Sequence, residues 1–289
     1  MKIGITGCNG VLGNSLLAYT SSKGFKGINI SRENIHFSNS LVSLKSYLSS
    51  LNLDVLIHCA ANTNVESCER EPQQCYQDNY LLTERLAIIC NVLKIKLVFI
   101  SSTGIYGEAS SQPYQEFHDT KPTTVHHHSK LLAEQSLRNL TKDYLIIRTG
   151  WIFGGDWNKP KNFVANRIKE ALLSRGTIQS DSEQYGSPTY VEDLSSCILE
   201  LIVQGYSGIY NCVNDGACNR FTYVSKIIEY SKLVGCSVQP IGSSSFNRLA
   251  RVSKNESAIN FKLNSLGIIN MPFWEVSLKK YIDSIAEYY

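Results

Sequence analysis

Through the first half of the chain, compact apolar runs rich in Ile, Val and Leu alternate with longer stretches whose apolar positions recur at helical spacing. The pattern predicts strands at Ile3 to Thr6, Gly27 to Ser31, Val55 to Cys59, Leu97 to Ser101 and Leu145 to Arg148. Between them it predicts helices from Val11, near Leu41 to Leu51, from Gln73 to Leu93 and from Ser129 to Leu140. Strand and helix in strict alternation mean an α/β fold built on a doubly wound parallel sheet of Rossmann-like type. Ligands of such sheets lie beyond the carboxyl ends of the strands. Gly7 to Gly13, Ser31-Arg32, Cys59 to Val65, Ser101 to Tyr106 and Arg148 to Phe153 are therefore expected to meet at one cleft.

Beyond Trp151 the alternation loosens into loops, among them Gly154 to Pro160 and Ser180 to Pro188. Helices are expected near Phe163 to Ser174, Tyr190 to Val203, Phe221 to Leu233 and Pro272 to Tyr288, with a strand at Gly208 to Val213. The division that follows is a dinucleotide-binding domain over 1–150 and a smaller C-terminal α/β substrate lobe over 151–289. Part of 187–213 is expected to return to the main domain.

The first strand breaks into Gly7-Cys8-Asn9-Gly10-Val11-Leu12-Gly13. Glycines at three-residue spacing between a strand and a helix let the backbone approach a diphosphate, which the N–H groups of a helix N-terminus then bond. Gly7, Asn9, Gly10, Val11, Leu12 and Gly13 are thus cofactor candidates, joined by Ala60 and Ala61 after the third strand. The second strand ends in Ser31-Arg32 with no acid at its tip. A carboxylate there would bond a free ribose 2'-hydroxyl, whereas a hydroxyl and a guanidinium suit a 2'-phosphate, so NADP(H) is favoured over NAD(H).

Composition narrows the class. The 289 residues are 43% hydrophobic and 18% charged, enough for one large domain or two lobes sharing a core. A net charge of +3 comes from interspersed signs, which gives no footprint for nucleic acid. No apolar run approaches a membrane span, and a strand directly after Met1-Lys2 leaves no room for a signal peptide, so a cytoplasmic protein without membrane insertion is expected. The 9 cysteines form no C-x-x-C pair and read as reduced, structural thiols, with no metal site. A homodimer is left open.

Three further segments carry a resemblance: Ile100-Ser101-Ser102-Thr103-Gly104-Ile105-Tyr106-Gly107, Pro122 to Lys130, and Ile146-Ile147-Arg148-Thr149-Gly150-Trp151-Ile152-Phe153. Together with the glycine turn, with His58 to Glu66 and Asn79, and with Gln184-Tyr185-Gly186-Ser187-Pro188-Thr189, they resemble the extended short-chain dehydrogenase/reductases, and most closely the dTDP-4-dehydrorhamnose reductase family. The resemblance spans nearly the whole chain. It implies NADPH-dependent reduction of the C4 ketone of a 4-keto-6-deoxy sugar on a nucleoside diphosphate, a step in polysaccharide sugar synthesis. It also implies Ser102 as the hydroxyl that holds the carbonyl and Lys130 as the lysine that binds the nicotinamide ribose. Trp151 is placed against the sugar or base, with Thr63, Val65, Asn162 and Gln184 as further substrate residues.

The family's proton-donating tyrosine, four residues before the lysine, is here His126. An imidazolium with a reference pKa of about 6.5 is a stronger acid than a phenol near 10, but a nearby Lys130 ammonium disfavours that charged form. His127 and His128, each about 100° further round the helix, are expected to be solvated. Other departures are Thr103 where an acid is common, Glu183 in place of aspartate, and Val252 in place of proline after Arg251. Two other readings stand beside the reductase: a catalytically silent subunit that binds the cofactor or nucleotide sugar for a partner enzyme, and a nucleotide-sugar dehydratase or epimerase.

Overall fold

The computed structural model describes residues 1–108, 110–174 and 176–289. The first half is β1 (Lys2–Thr6), α1 (Val11–Ser22), β2 (Lys26–Ile30), α2 (Leu41–Leu51) and β3 (Val55–His58), then α3 (Val65–Arg70), α4 (Pro72–Tyr76) and α5 (Leu82–Leu93). It closes with β4 (Lys96–Ser102), α6 (Val125–Leu140) and β5 (Tyr144–Thr149). All pairings of the main sheet are parallel, in the order β2-β1-β3-β4-β5 followed by Gly208–Asn211. The strands are apolar on both faces because each face is covered: Ile3, Ile5 and Ile57 enter one buried cluster, Leu56, Leu97 and Phe99 the other.

Two helices differ instructively from the sequence pattern. The single helix expected from Gln73 to Leu93 is α4, a π-helical turn at Gln77–Leu81, and α5. The wider turn carries Asn79 inward, where its amide exchanges bonds with the backbone of Asn62 at 2.7 and 3.0 Å and reaches Ser129 Oγ at 3.0 Å. The helix expected from Ser129 begins at Val125, because the Thr124 hydroxyl accepts the His127 N–H and Glu69 accepts that of Val125. Three consecutive histidines gave no apolar period by which to see that turn.

In the second half, α7 (Phe163–Ser174), α8 (Val191–Val203) and α9 (Arg220–Tyr230) precede a helix at Trp274–Ser284. α8 packs on α1, with Ser15 bonded to Ser195 and Tyr19 to Ser196. Thr177–Asp181, whose end overlaps the loop expected from Ser180 to Pro188, forms a parallel pair with Ser237–Ile241, its Ile178 packing with Val224 and Ile228. Their polar, half-exposed sequences carry little strand signal. No helix among the described residues is long and apolar enough to cross a membrane.

One buried ion pair fixes the face that α6 turns toward the sheet. Arg148 on β5 bonds Glu134 on α6 through Nε at 3.1 Å and Nη2 at 2.7 Å, and its other amine donates to the Tyr106 hydroxyl at 3.0 Å. Tyr106 in turn donates to Asn211 on the last strand at 2.7 Å. Against a burial that would lower it, the Glu134 carboxylate holds the guanidinium pKa above its ordinary value. Glu134→Gln leaves a buried arginine without its counter-charge, and urea unfolding should show a loss of about 3–5 kcal/mol.

Candidate active site

The turn after β1 is shaped for close approach. Gly7 has φ +71, and a Cβ there would lie 2.8 Å from the backbone nitrogen of Ala60; one on Gly13 would overlap the Gly7 carbonyl. Thr6 Oγ1 holds the opposing turn in place by accepting the N–H groups of Cys59 and Ala60 at 3.1 and 3.0 Å. Gly10 precedes the first turn of α1 with no side-chain cap, so the amides of Val11, Leu12 and Gly13 are left for an anion. This cradle, with Asn9 exposed at its lip and Ala60 and Ala61 beside it, fits a dinucleotide diphosphate. Ser31 and the exposed Arg32 follow β2 at the same sheet end, Arg32 lying 3.6 Å from Asp78.

Ser102 closes β4, and its Oγ accepts the N–H of Gly104 at 3.1 Å. Lys130 is buried one turn after His126 on α6, with Nζ donating to the Ile100 carbonyl at 2.9 Å and lying 4.6 Å above the Phe99 ring. Desolvation pulls its pKa down to about 8. His126 is buried with Nδ1 2.9 Å from the Asn62 carbonyl. A carbonyl only accepts, so Nδ1 carries the proton and Nε2, which has no hydrogen-bond partner among the described residues, presents a lone pair. Burial, then His127 and Lys130, hold the imidazole pKa well below its ordinary value.

His127 corrects the expectation of a solvated side chain. It is buried, its ring filling the space that a side chain on Gly104 would need, and it lines a cavity of about 430 Å³. His128 is exposed, bonded to Tyr76 at 2.9 Å. Thr63, Val65 and Gln184 line the same cavity, together with Arg167, Arg220 and Arg248, which the sequence pattern did not single out. Trp151 stands behind it, with φ +45, its indole N–H donated to Glu256 at 3.1 Å and the Arg220 guanidinium 3.4 Å from the ring centroid. Asn162 serves the fold instead: Oδ1 accepts the Ala165 N–H and Nδ2 donates to the Asp156 carbonyl and the Tyr281 hydroxyl.

Cys68, Cys75 and His126, distant in any spacing pattern, bring ligand atoms within 4.8 Å of one another. The Asn79 amide nitrogen already stands 3.4 Å from both Cys75 Sγ and His126 Nδ1, so a hydrogen-bonding group occupies their midst. Cys68, against the burial that raises it, and then Ser129 and Asn79 by hydrogen bonding, lower the Cys75 pKa from its ordinary value. All 9 cysteines are free.

A diphosphate cradle follows β1, Ser102 ends β4 and Lys130 lies on α6, while Thr63 and His127 border an arginine-lined cavity. The family described as RmlD substrate binding domain matches residues 1–287. The chain belongs to that family. It is similar to the spore coat polysaccharide biosynthesis protein SpsK of Bacillus subtilis, 30% identical over 80% of each chain. It is also similar to the dTDP-4-dehydrorhamnose reductase of Mycobacterium tuberculosis, 27% identical over 96% of this chain and 91% of that one. The dTDP-4-dehydrorhamnose reductase of Bacillus anthracis, solved in complex with NADP, superimposes with a TM-score of 0.92 at 29% identity, covering 98% of this chain and 100% of that one. For this family member, Gly13→Ala should weaken NADPH binding at least about tenfold by fluorescence titration, because the added methyl drives the Gly7 carbonyl out of the cradle.

Proposed function

We propose that the protein reduces the C4 ketone of a nucleoside-diphosphate 4-keto-6-deoxy sugar in the cytoplasm, for polysaccharide sugar synthesis, and prefers NADPH. The observation that carries this reading is the segment after β3: its Ala60 packs on Gly7 of the cradle, and its Thr63 and Val65 line a cavity bearing Arg220 and Arg248, neither within ion-pair distance of a carboxylate among the described residues. Bound at the cradle, the nicotinamide cofactor supplies the hydride. The chain's own residues have three tasks: to place the substrate, to hold its C4 oxygen, and to deliver one proton to it.

Placement falls to the arginines, whose forked donors match a diphosphate, and to Thr63, Val65, Gln184 and Trp151 around the sugar. Ser102 Oγ donates to the C4 oxygen, a bond that strengthens as negative charge develops there. Lys130 would bond the ribose of the cofactor. His126 delivers the proton from its imidazolium form, taking up a proton at Nε2 and releasing it to the alkoxide. Its resting lone pair makes it a ready base for the reverse reaction and a reluctant acid for reduction. Arg32 and Ser31 account for the preference for a 2'-phosphate.

The sign of the pH dependence follows. With the His126 pKa held below 6.5, reduction at saturating NADPH should rise as pH falls from 8 toward 6, approaching tenfold per unit where the imidazolium is the minor form. Stopped assays of NADPH oxidation with a panel of 4-keto sugar nucleotides measure this. His126→Ala should remove at least about a hundredfold of the rate, and His126→Tyr should raise it and flatten the profile. NADPH binding without oxidation across the panel would instead assign the chain to the silent binding subunits, and turnover without net oxidation to the dehydratases or epimerases. In the same assay Arg32→Asp should shift the NADPH:NADH ratio of kcat/KM toward NADH by about tenfold or more.

A further inference from the structure

His127 and Glu256 face each other across the cavity wall, and neither is accounted for by the reaction as derived. His127 Nε2 lies 3.9 Å from Glu256 Oε1, too far for a direct hydrogen bond. Glu256 is 6% exposed and lines the cavity, its Oε2 accepts the Trp151 indole at 3.1 Å, and its buried Oε1 has no hydrogen-bond partner among the described residues. The His127 ring is fixed from behind. Thr124 Oγ1 accepts the backbone N–H of His127 and lies 3.1 Å from Nδ1, so its hydroxyl hydrogen is free to bond that nitrogen. Nδ1 is then an acceptor, and Nε2 carries its proton toward the carboxylate. A donor and an acceptor are thus held 3.9 Å apart in the cavity wall, where a hydroxyl oxygen set to one side of the line between them is within bonding reach of both.

The group that satisfies both at once must itself accept and donate, which is the property of a hydroxyl. We propose that the His127–Glu256 gap is a subsite that reads one sugar hydroxyl of the nucleotide sugar, His127 Nε2 donating to its oxygen and Glu256 Oε1 accepting its hydrogen. The inference rests on the nucleotide-sugar reading above and adds a specificity determinant to it. Without that hydroxyl the buried carboxylate oxygen stays unpaired, so a deoxy analogue is rejected more strongly than the loss of one exposed bond would cause. The neighbouring ionic groups are Lys130 and His126 on the same helix, Glu69 on α3 and Arg220 on α9; Arg220 keeps Glu256 in a cationic field without closing the gap.

Calorimetric binding of dTDP-glucose, of its 2-deoxy and 3-deoxy analogues and of dTDP alone, in the presence of NADP, needs no turnover. The wild-type protein is expected to bind dTDP-glucose about tenfold to a hundredfold more tightly than one of the two analogues. Glu256→Ala and His127→Phe should abolish that discrimination while leaving dTDP affinity unchanged, and the isosteric Glu256→Gln should reduce it with the same melting temperature as wild type. Discrimination that survives Glu256→Ala and Glu256→Gln overturns the subsite, as does equal wild-type affinity for all three sugars, which means that a water fills the gap. Failure of the wild-type protein to bind dTDP or any dTDP-sugar overturns the nucleotide-sugar reading together with the subsite. Binding without discrimination overturns the subsite alone.

Discussion

The ion pair between Arg148 and Glu134 determines how α6 is rotated over the sheet, and the site inherits that rotation. With Glu134 bonded inward to β5 and to the Tyr106 turn, the residues one and two turns before it are committed. Lys130 enters the sheet and meets the Ile100 carbonyl, His126 meets Asn62, and His127 meets Gly104 and the cavity. Buried ion pairs contribute little net stability against an apolar alternative, but breaking one is costly, so their effect is to exclude other arrangements. Here the arrangement excluded is any other setting of the helix that carries His126, His127 and Lys130.

That helix carries an electrostatic conflict. A lysine one turn from a phenol lowers the phenol pKa and so assists a tyrosine; beside an imidazole the same ammonium opposes the charged form that must act as acid. Burial adds to the opposition, and the Asn62 carbonyl fixes the tautomer that leaves a lone pair at Nε2. The surroundings of Lys130 soften the conflict, because desolvation brings its pKa down to about 8 and a growing fraction is neutral above that. On the proposed reading, His126 is a proton acceptor at rest and becomes a donor by taking up a proton.

The cavity depends on both halves of the chain. Thr63 and His127 come from segments bordering the main sheet, while Gln184, Arg220, Arg248 and Glu256 come from the second half. The Trp151 backbone, left-handed at φ +45, turns its indole toward Glu256 beside Gly186, where no side chain competes for the space. Such a conformation costs of order 1–3 kcal/mol in a non-glycine residue and is held by its surroundings.

Local pattern was enough for the parallel sheet, the glycine cradle, the Ser31-Arg32 tip and the substitution of His126 for tyrosine, because each is written in a few adjacent residues with a fixed period or spacing. The start of α6 was illegible since its signals, Thr124 and Glu69, are a cap and a side chain from another helix. The pairing of His127 with Glu256, the tautomer of His126 and the cavity arginines join residues far apart in the chain. Asn162 went the same way, its partners Asp156 and Tyr281 being fixed only when the loop and the C-terminal helix pack. Sequence periodicity determined which elements form and where their ends gather; the direction of each polar side chain at those ends was decided by long-range packing, because a hydrogen-bonding group takes the partner that folding brings within about 3 Å.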